Sequence, residues 1–92
     1  MVDIEFIRKK VERSEYEFAV PHFFEEMIND DLIWQDIELA IENGGIRREF
    51  TDDPRGSRYE IVGKATDGRE IGIICRVKAT GRVLFITTYE LE

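Results

Sequence analysis

The chain has 92 residues, 42% of them apolar, with ten aromatics (six Phe, three Tyr, one Trp), a composition that builds one packed domain over 1–92 rather than a disordered tail. Net charge is −7, split unevenly: residues 1–45 set twelve acids against Arg8, Lys9, Lys10 and Arg13 (−8), while residues 46–92 set nine bases against eight acids (+1). That acidic balance argues against tight nucleic-acid binding, which draws on a basic stripe, and the lack of a long apolar run or basic-then-apolar leader argues against a membrane span or signal peptide.

The segment "IEFIRKKVE" spaces Ile4, Ile7 and Val11 by three and four, which predicts a helix over about 3–14 with Asp3 as its cap. "YEFAV" alternates Tyr16 and Phe18 on one side and reads as a short extended piece before Pro21. A second helix is expected over about 22–29, with Phe23, Met27 and Phe24 turned inward. "LIWQDIELAIENGG" gives a third, with a stripe of Ile33, Ile37, Ala40 and Ile41, and Gly44 offers a left-handed cap at its end.

From Gly45 the apolar period changes from 3.6 to 2. "GIRREF" alternates Ile46, Arg48 and Phe50 against Arg47 and Glu49, and "TDDPRG" is a loop. "SRYEIVGKA", "REIGIICRVKA" and "RVLFITTYELE" are strands joined by turns at Asp67-Gly68 and Thr80-Gly81. On the last, Val83, Phe85, Thr87 and Tyr89 alternate with Leu84, Ile86, Thr88 and Glu90. The expected fold class is α+β: N-terminal helices packed on one face of a four- to five-stranded antiparallel sheet, the fifth strand being the piece near 16–20.

The stretches "YEFAVPHFFEEM", "LIWQDIELAIENGG", "TDDPRGSRYEIVG", "TDGREIGII" and "FITTYELE", in that order and spacing, resemble the bacterial domain-of-unknown-function family numbered 4258. The resemblance covers nearly everything from Tyr16 to Glu92 and carries no established activity. In size and layout it is similar to small ribonuclease toxins of the RelE and BrnT types, an analogy at the level of fold. Where the family reads Arg before Met, this chain has Glu26, and where a second Arg follows, it has Asn29, Asp30 and Asp31. Both departures remove positive charge beside His22.

His22 is the single histidine. A general base is one reading of it; a helix-start residue partnered by Glu25 or Glu26 is the other, and the second is expected. One His and one Cys more than fifty positions apart have no metal-ligand spacing, so neither a metal nor a cofactor is expected. Cys75, inside "IGIICRV", reads as a small buried thiol in a reducing cytoplasm.

Pleat alternation places Arg58, Lys64, Arg76 and Lys78 on the sheet face that the helices leave open. With Tyr89, and His22 nearby, Arg58 and Arg76 are the candidate catalytic groups of a metal-independent ribonuclease, cations stabilising the phosphorane charge. The plainer expectation for that face is a solvated surface whose charges pair with Glu60 and Glu70. The chain is accordingly expected to be a non-catalytic binding module with a protein partner, and a RelE/BrnT-like toxin or a degenerate relative is the alternative.

Overall fold

A computed structural model describes residues 2–92. Helix α1 spans Ile4–Glu12, strand β1 Tyr16–Phe18, α2 His22–Asn29 and α3 Trp34–Asn43; strands β2 Gly45–Phe50, β3 Arg58–Lys64, β4 Glu70–Val77 and β5 Val83–Glu90 follow. One five-stranded sheet has the order β1-β5-β4-β3-β2. β2 to β5 form the expected antiparallel meander, and β1 joins its far side parallel to β5, with Phe18 opposite Phe85.

The local signals act as their chemistry dictates. Asp3 caps α1 by accepting from Phe6 N–H at 2.9 Å. The β3–β4 and β4–β5 turns are built alike: Ala65 N–H donates to Arg69 O and Lys78 N–H to Arg82 O, both at 2.8 Å. Gly68 and Gly81 supply the φ of 89° that each turn requires. Gly44 differs from expectation. Its φ of −105° and ψ of −159° are extended, so it is no left-handed cap. A Cβ there would instead collide with the Val62 and Ala40 carbonyls, and one at Gly63 with the Ala40 backbone. Glycine is needed because α3 lies directly on β3.

The core lies between the helices and one sheet face. Ile7, Phe23, Met27, Ile37, Ala40 and Ile41 come from the helices, and Ile61, Ile71, Ile73, Cys75, Val83 and Phe85 from the strands. Around Phe85 gather Tyr16, Phe18, Phe23 and Trp34, with ring centroids 5.6 to 6.1 Å away. Contacts at such separations add to the transfer free energy of burying large rings. Two expected inward residues are not fully covered: Phe24 is 41% exposed and Ile33, at the N-cap of α3, 57%.

Buried polar groups lock helix ends to the sheet. Asp36 accepts from Ile33 N–H at the start of α3, and its other oxygen takes Thr66 N–H at 2.9 Å and the Thr66 hydroxyl at 2.5 Å. Burial opposes the Asp36 charge, but the Thr66 and Ile33 bonds outweigh it and lower the carboxyl below its ordinary range. Arg8 donates to the Ile41 and Gly44 carbonyls at the end of α3, and Arg69 to those of Asp30 and Asp31 beyond α2. A cation at a helix C-terminus satisfies orphan carbonyls and complements the dipole.

Candidate functional site

Two irregularities in the sheet determine which side chains meet on its open face. In β2, Ile46 pairs with Ile61, but the next pair is Arg48 with Glu60, leaving Arg47 as an extra residue. This bulge corrects the simple alternation of "GIRREF": Ile46 faces the core, while Arg48 and Phe50 face away from it. Because two residues oppose one across a bulge, consecutive arginines reach the same carboxylate. Arg47 Nε and Arg48 Nε both donate to Glu60 Oε1, at 2.9 and 3.0 Å.

The second irregularity lies between β4 and β5, where Cys75 pairs with Phe85 but Ile74 with Thr87. The expected alternation along β5 therefore inverts after Phe85. Thr88 turns to the core and donates to Gly72 O at 2.8 Å, and Tyr89 joins Leu84 and Thr87 on the open face. Had the alternation continued, Tyr89 would have been carried to the core side.

At the centre of the open face sits Glu60, its side chain 3% exposed. Its second oxygen accepts from the Tyr89 hydroxyl. The Tyr89 ring reaches it by lying flat over Gly72, where any Cβ would strike the ring. Burial alone would raise the Glu60 carboxyl; the bonds from Arg47, Tyr89 and Arg48 overcome it and bring it down to about 2. Burial and the bond to Glu60 push Tyr89 up to about 12. Glu60 is thus held ionised and Tyr89 neutral, the forms that stabilise each other and leave neither able to exchange a proton near neutral pH.

Arg58 and Arg76 form a neighbouring cluster. Arg58 is opposite Arg76 in the β3–β4 ladder, a like-charge pair that needs a counter-ion. Asp53 supplies it from the loop before β3, 3.2 Å from Arg76 Nη1 and 3.6 Å from Arg58 Nε. The side-chain and backbone hydrogen bonds of Arg55 are the main reason Asp53 lies down at about 2. The Arg48 and Arg58 guanidiniums stand 5.6 and 5.3 Å from the Phe50 ring centroid. Across the sheet, Lys78 and Arg82 both bind Glu17 of β1, at 2.8 and 3.0 Å. Of the four bases expected on this face, Lys64 is the one without a carboxylate partner among the described residues, and Glu70 stands opposite it.

The sequence-derived candidates therefore separate. Arg58, Arg76 and Tyr89 share the open face, in two adjacent clusters. His22 opens α2, in the layer on the other side of the sheet, with its side chain 54% exposed and Nδ1 4.0 Å from Glu26 Oε1 one turn on. It sits beside its own helix and not beside Tyr89. Cys75 is fully buried and burial pushes its thiol up to about 12, an inert side chain that packs. No group of three or more His, Cys, Asp or Glu able to hold a metal occurs among the described residues. No described helix is long and apolar enough to cross a membrane.

Sequence reasoning left out Arg47, Arg48 and Glu60 as a unit. One signal was present: Gly72, in the middle of the otherwise bulky strand "REIGIICRV", marks a place where another group comes close. A shallow cleft between α1 and α3, lined by Arg8, Val11, Glu12, Glu38, Ile41 and Glu42, contains none of the candidates.

No curated protein and no solved structure matches the chain. The model of the family "Domain of unknown function (DUF4258)" matches residues 21–90, from the entrance of α2 to the last residue of β5, and the chain belongs to that family.

Proposed function

We propose that the protein is a non-catalytic cytoplasmic module that offers its acidic helical layer to a protein partner. One observation carries this reading. From Ser14 to Ile46 there is no Lys or Arg, while Glu15, Glu17, Glu25, Glu26, Asp30, Asp31, Asp36, Glu38 and Glu42 are all acids. Of these, Asp36 and Glu17 are engaged inside the fold, and most of the others face water. The open sheet face supports the same reading from the other side: Arg47 and Arg48 each give one hydrogen bond to Glu60, Arg76 gives one to Asp53, and Arg58 stands 3.6 Å from Asp53, so part of the positive charge of that face is already neutralised. A carboxylate already shared by two guanidiniums and a phenol, and only 3% exposed, is closed to a substrate. Tight RNA binding is not part of this reading.

A second reading, a RelE/BrnT-like ribonuclease toxin or a relative that has lost activity, draws on Arg58, Arg76 and Tyr89 sharing one face. The protein induced in bacteria without its genomic neighbours separates the two. Unchanged growth, intact transcripts, and discrete protein adducts from a photo-crosslinking residue at position 28 but not at position 48 support the module. Growth arrest with cleaved messages, abolished by Arg58→Ala or Arg76→Ala, makes the protein a nuclease instead.

A further inference from the structure

Helix α2 carries two apolar stripes, and its own fold uses only one. Phe23 and Met27 are buried against the sheet, at 0% and 8% exposure. Phe24 and Ile28, four apart on the helix, form a second pair that stays 41% and 76% exposed, and Val20, in the turn before the helix, is 69% exposed. Ile33, just beyond the helix, extends the exposed apolar set. Scattered surface apolar residues are ordinary, but a run on one helix face marks a contact surface. Phe24 is also pre-positioned, its ring centroid 4.9 Å from that of Phe18 in β1.

The charges beside this pair narrow the occupant. Glu25, exposed, flanks the Phe24–Ile28 pair, Glu26 lies on the far side of the helix beside His22, and Asp30 and Asp31 follow at the helix end. The nearest base to that end, Arg69, is already occupied by the Asp30 and Asp31 carbonyls and by Asp67 and Glu90. A second copy would bring acid against acid, and an anionic membrane surface or an acidic peptide would be repelled in the same way. A segment with apolar residues at three- and four-residue spacing and Lys or Arg along the edge that meets Glu25 and the helix end satisfies the apolar and the ionic requirement together.

We propose that the Phe24–Ile28 face of α2 is the docking site for a basic amphipathic helix of another protein. This rests on the binding-module reading and names the chemistry of its partner. Three fluorescent peptides of about fourteen residues test it by anisotropy at physiological salt: Leu/Lys with a helical apolar face, the same composition scrambled, and Leu/Glu with the same face. Saturable binding of the first alone is expected, weakened at least tenfold by Ile28→Ser and severalfold by Glu25→Lys, and unchanged by Leu39→Ser on α3. Binding that ignores Ile28→Ser, or equal binding of the scrambled or Leu/Glu peptide, overturns the proposal. So does concentration-dependent dimerisation of the protein that Ile28→Ser abolishes, since that places a second copy on the face. Cellular adducts at position 28 without peptide discrimination refute the partner's chemistry alone; absence of both refutes the module as well.

Discussion

The two faces of the sheet are held by different forces. On the helical side, large apolar side chains exclude water, and the few polar groups, Asp36, Arg8 and Arg69, close helix ends. On the open side, long charged side chains lie over an apolar floor that includes Ile74, 8% exposed, and are cross-linked through Glu60, Asp53 and Glu17. The first arrangement depends mainly on volume, with Asp36 as an acid-sensitive contact within it. The second depends on charge and responds to pH and salt. Most of the charge on the sheet is thus paired within the face, whereas most of the acids on the helices face outward.

Truncating the core is expected to have the largest effect. Phe85→Ala removes the ring on which four other aromatics converge and should cost about 3–5 kcal/mol, measured by chemical denaturation. A loss below about 1 kcal/mol would mean that the aromatic cluster is not the centre of the fold.

The strand glycines compare the two faces directly. Gly63→Ala pushes a methyl group into the backbone of α3, which cannot yield without moving the helix, so a loss of about 3 kcal/mol is expected. Gly72→Ala meets only the Tyr89 ring, which can swing out to solvent, and should cost about 1.5 kcal/mol, the low end for one hydrogen bond to a charged group. Equal losses would show Tyr89 to be as fixed as the backbone.

Acid should weaken the open face first. The Glu60 carboxyl, ordinarily near 4.5, lies at about 2 in the folded protein, so its contribution is complete above the ordinary value and disappears as pH falls toward 2. Asp53, depressed from 3.8 to about 2, acts in the same direction and window. The melting temperature should therefore decline between about pH 5 and 2, less steeply in Glu60→Gln, while Phe85→Ala keeps the slope of the parent. An unchanged slope in Glu60→Gln would remove Glu60 from the account.

His22 should matter least. With Glu26 its one ionic neighbour among the described residues, 4.0 Å away, and more than half of its side chain in water, His22→Ala is expected to change stability by no more than about 0.5 kcal/mol. Micromolar zinc should leave the melting temperature of the parent where it was. A rise of several degrees would reveal a metal site.

Both sheet edges are protected by means that bear on the same contrast. β1 is only three residues long, and β2 is bulged and carries Arg47 and Arg48. Short, kinked or charged edges discourage pairing with another chain. The exposed apolar face of α2 has no comparable protection, which is why it stands out as a contact surface.

Much of this was legible in the chain. The helix of residues 22–29, the Asp3 cap, both hairpin turns and the change of period at Gly45 are signals carried by a few neighbouring residues, and each formed as read. So was the company of Arg58 and Arg76, because pleat alternation on an unbulged strand is a matter of parity. The place of Tyr89, by contrast, was not derivable. A single inserted residue on β5 reverses the parity of everything after it, and whether one is inserted depends on how β5 fits β4.

The sequence by itself determined the elements, their order and the acidity of the helical half, since these follow from side chains a few positions apart. Only the tertiary structure decided that Glu60 and Asp36 are buried, that adjacent arginines share one carboxylate, and that His22 and Tyr89 lie on opposite sides of the sheet. Burial and counter-ion choice are set by residues distant in the chain that meet only when the sheet closes, and no local pattern records them.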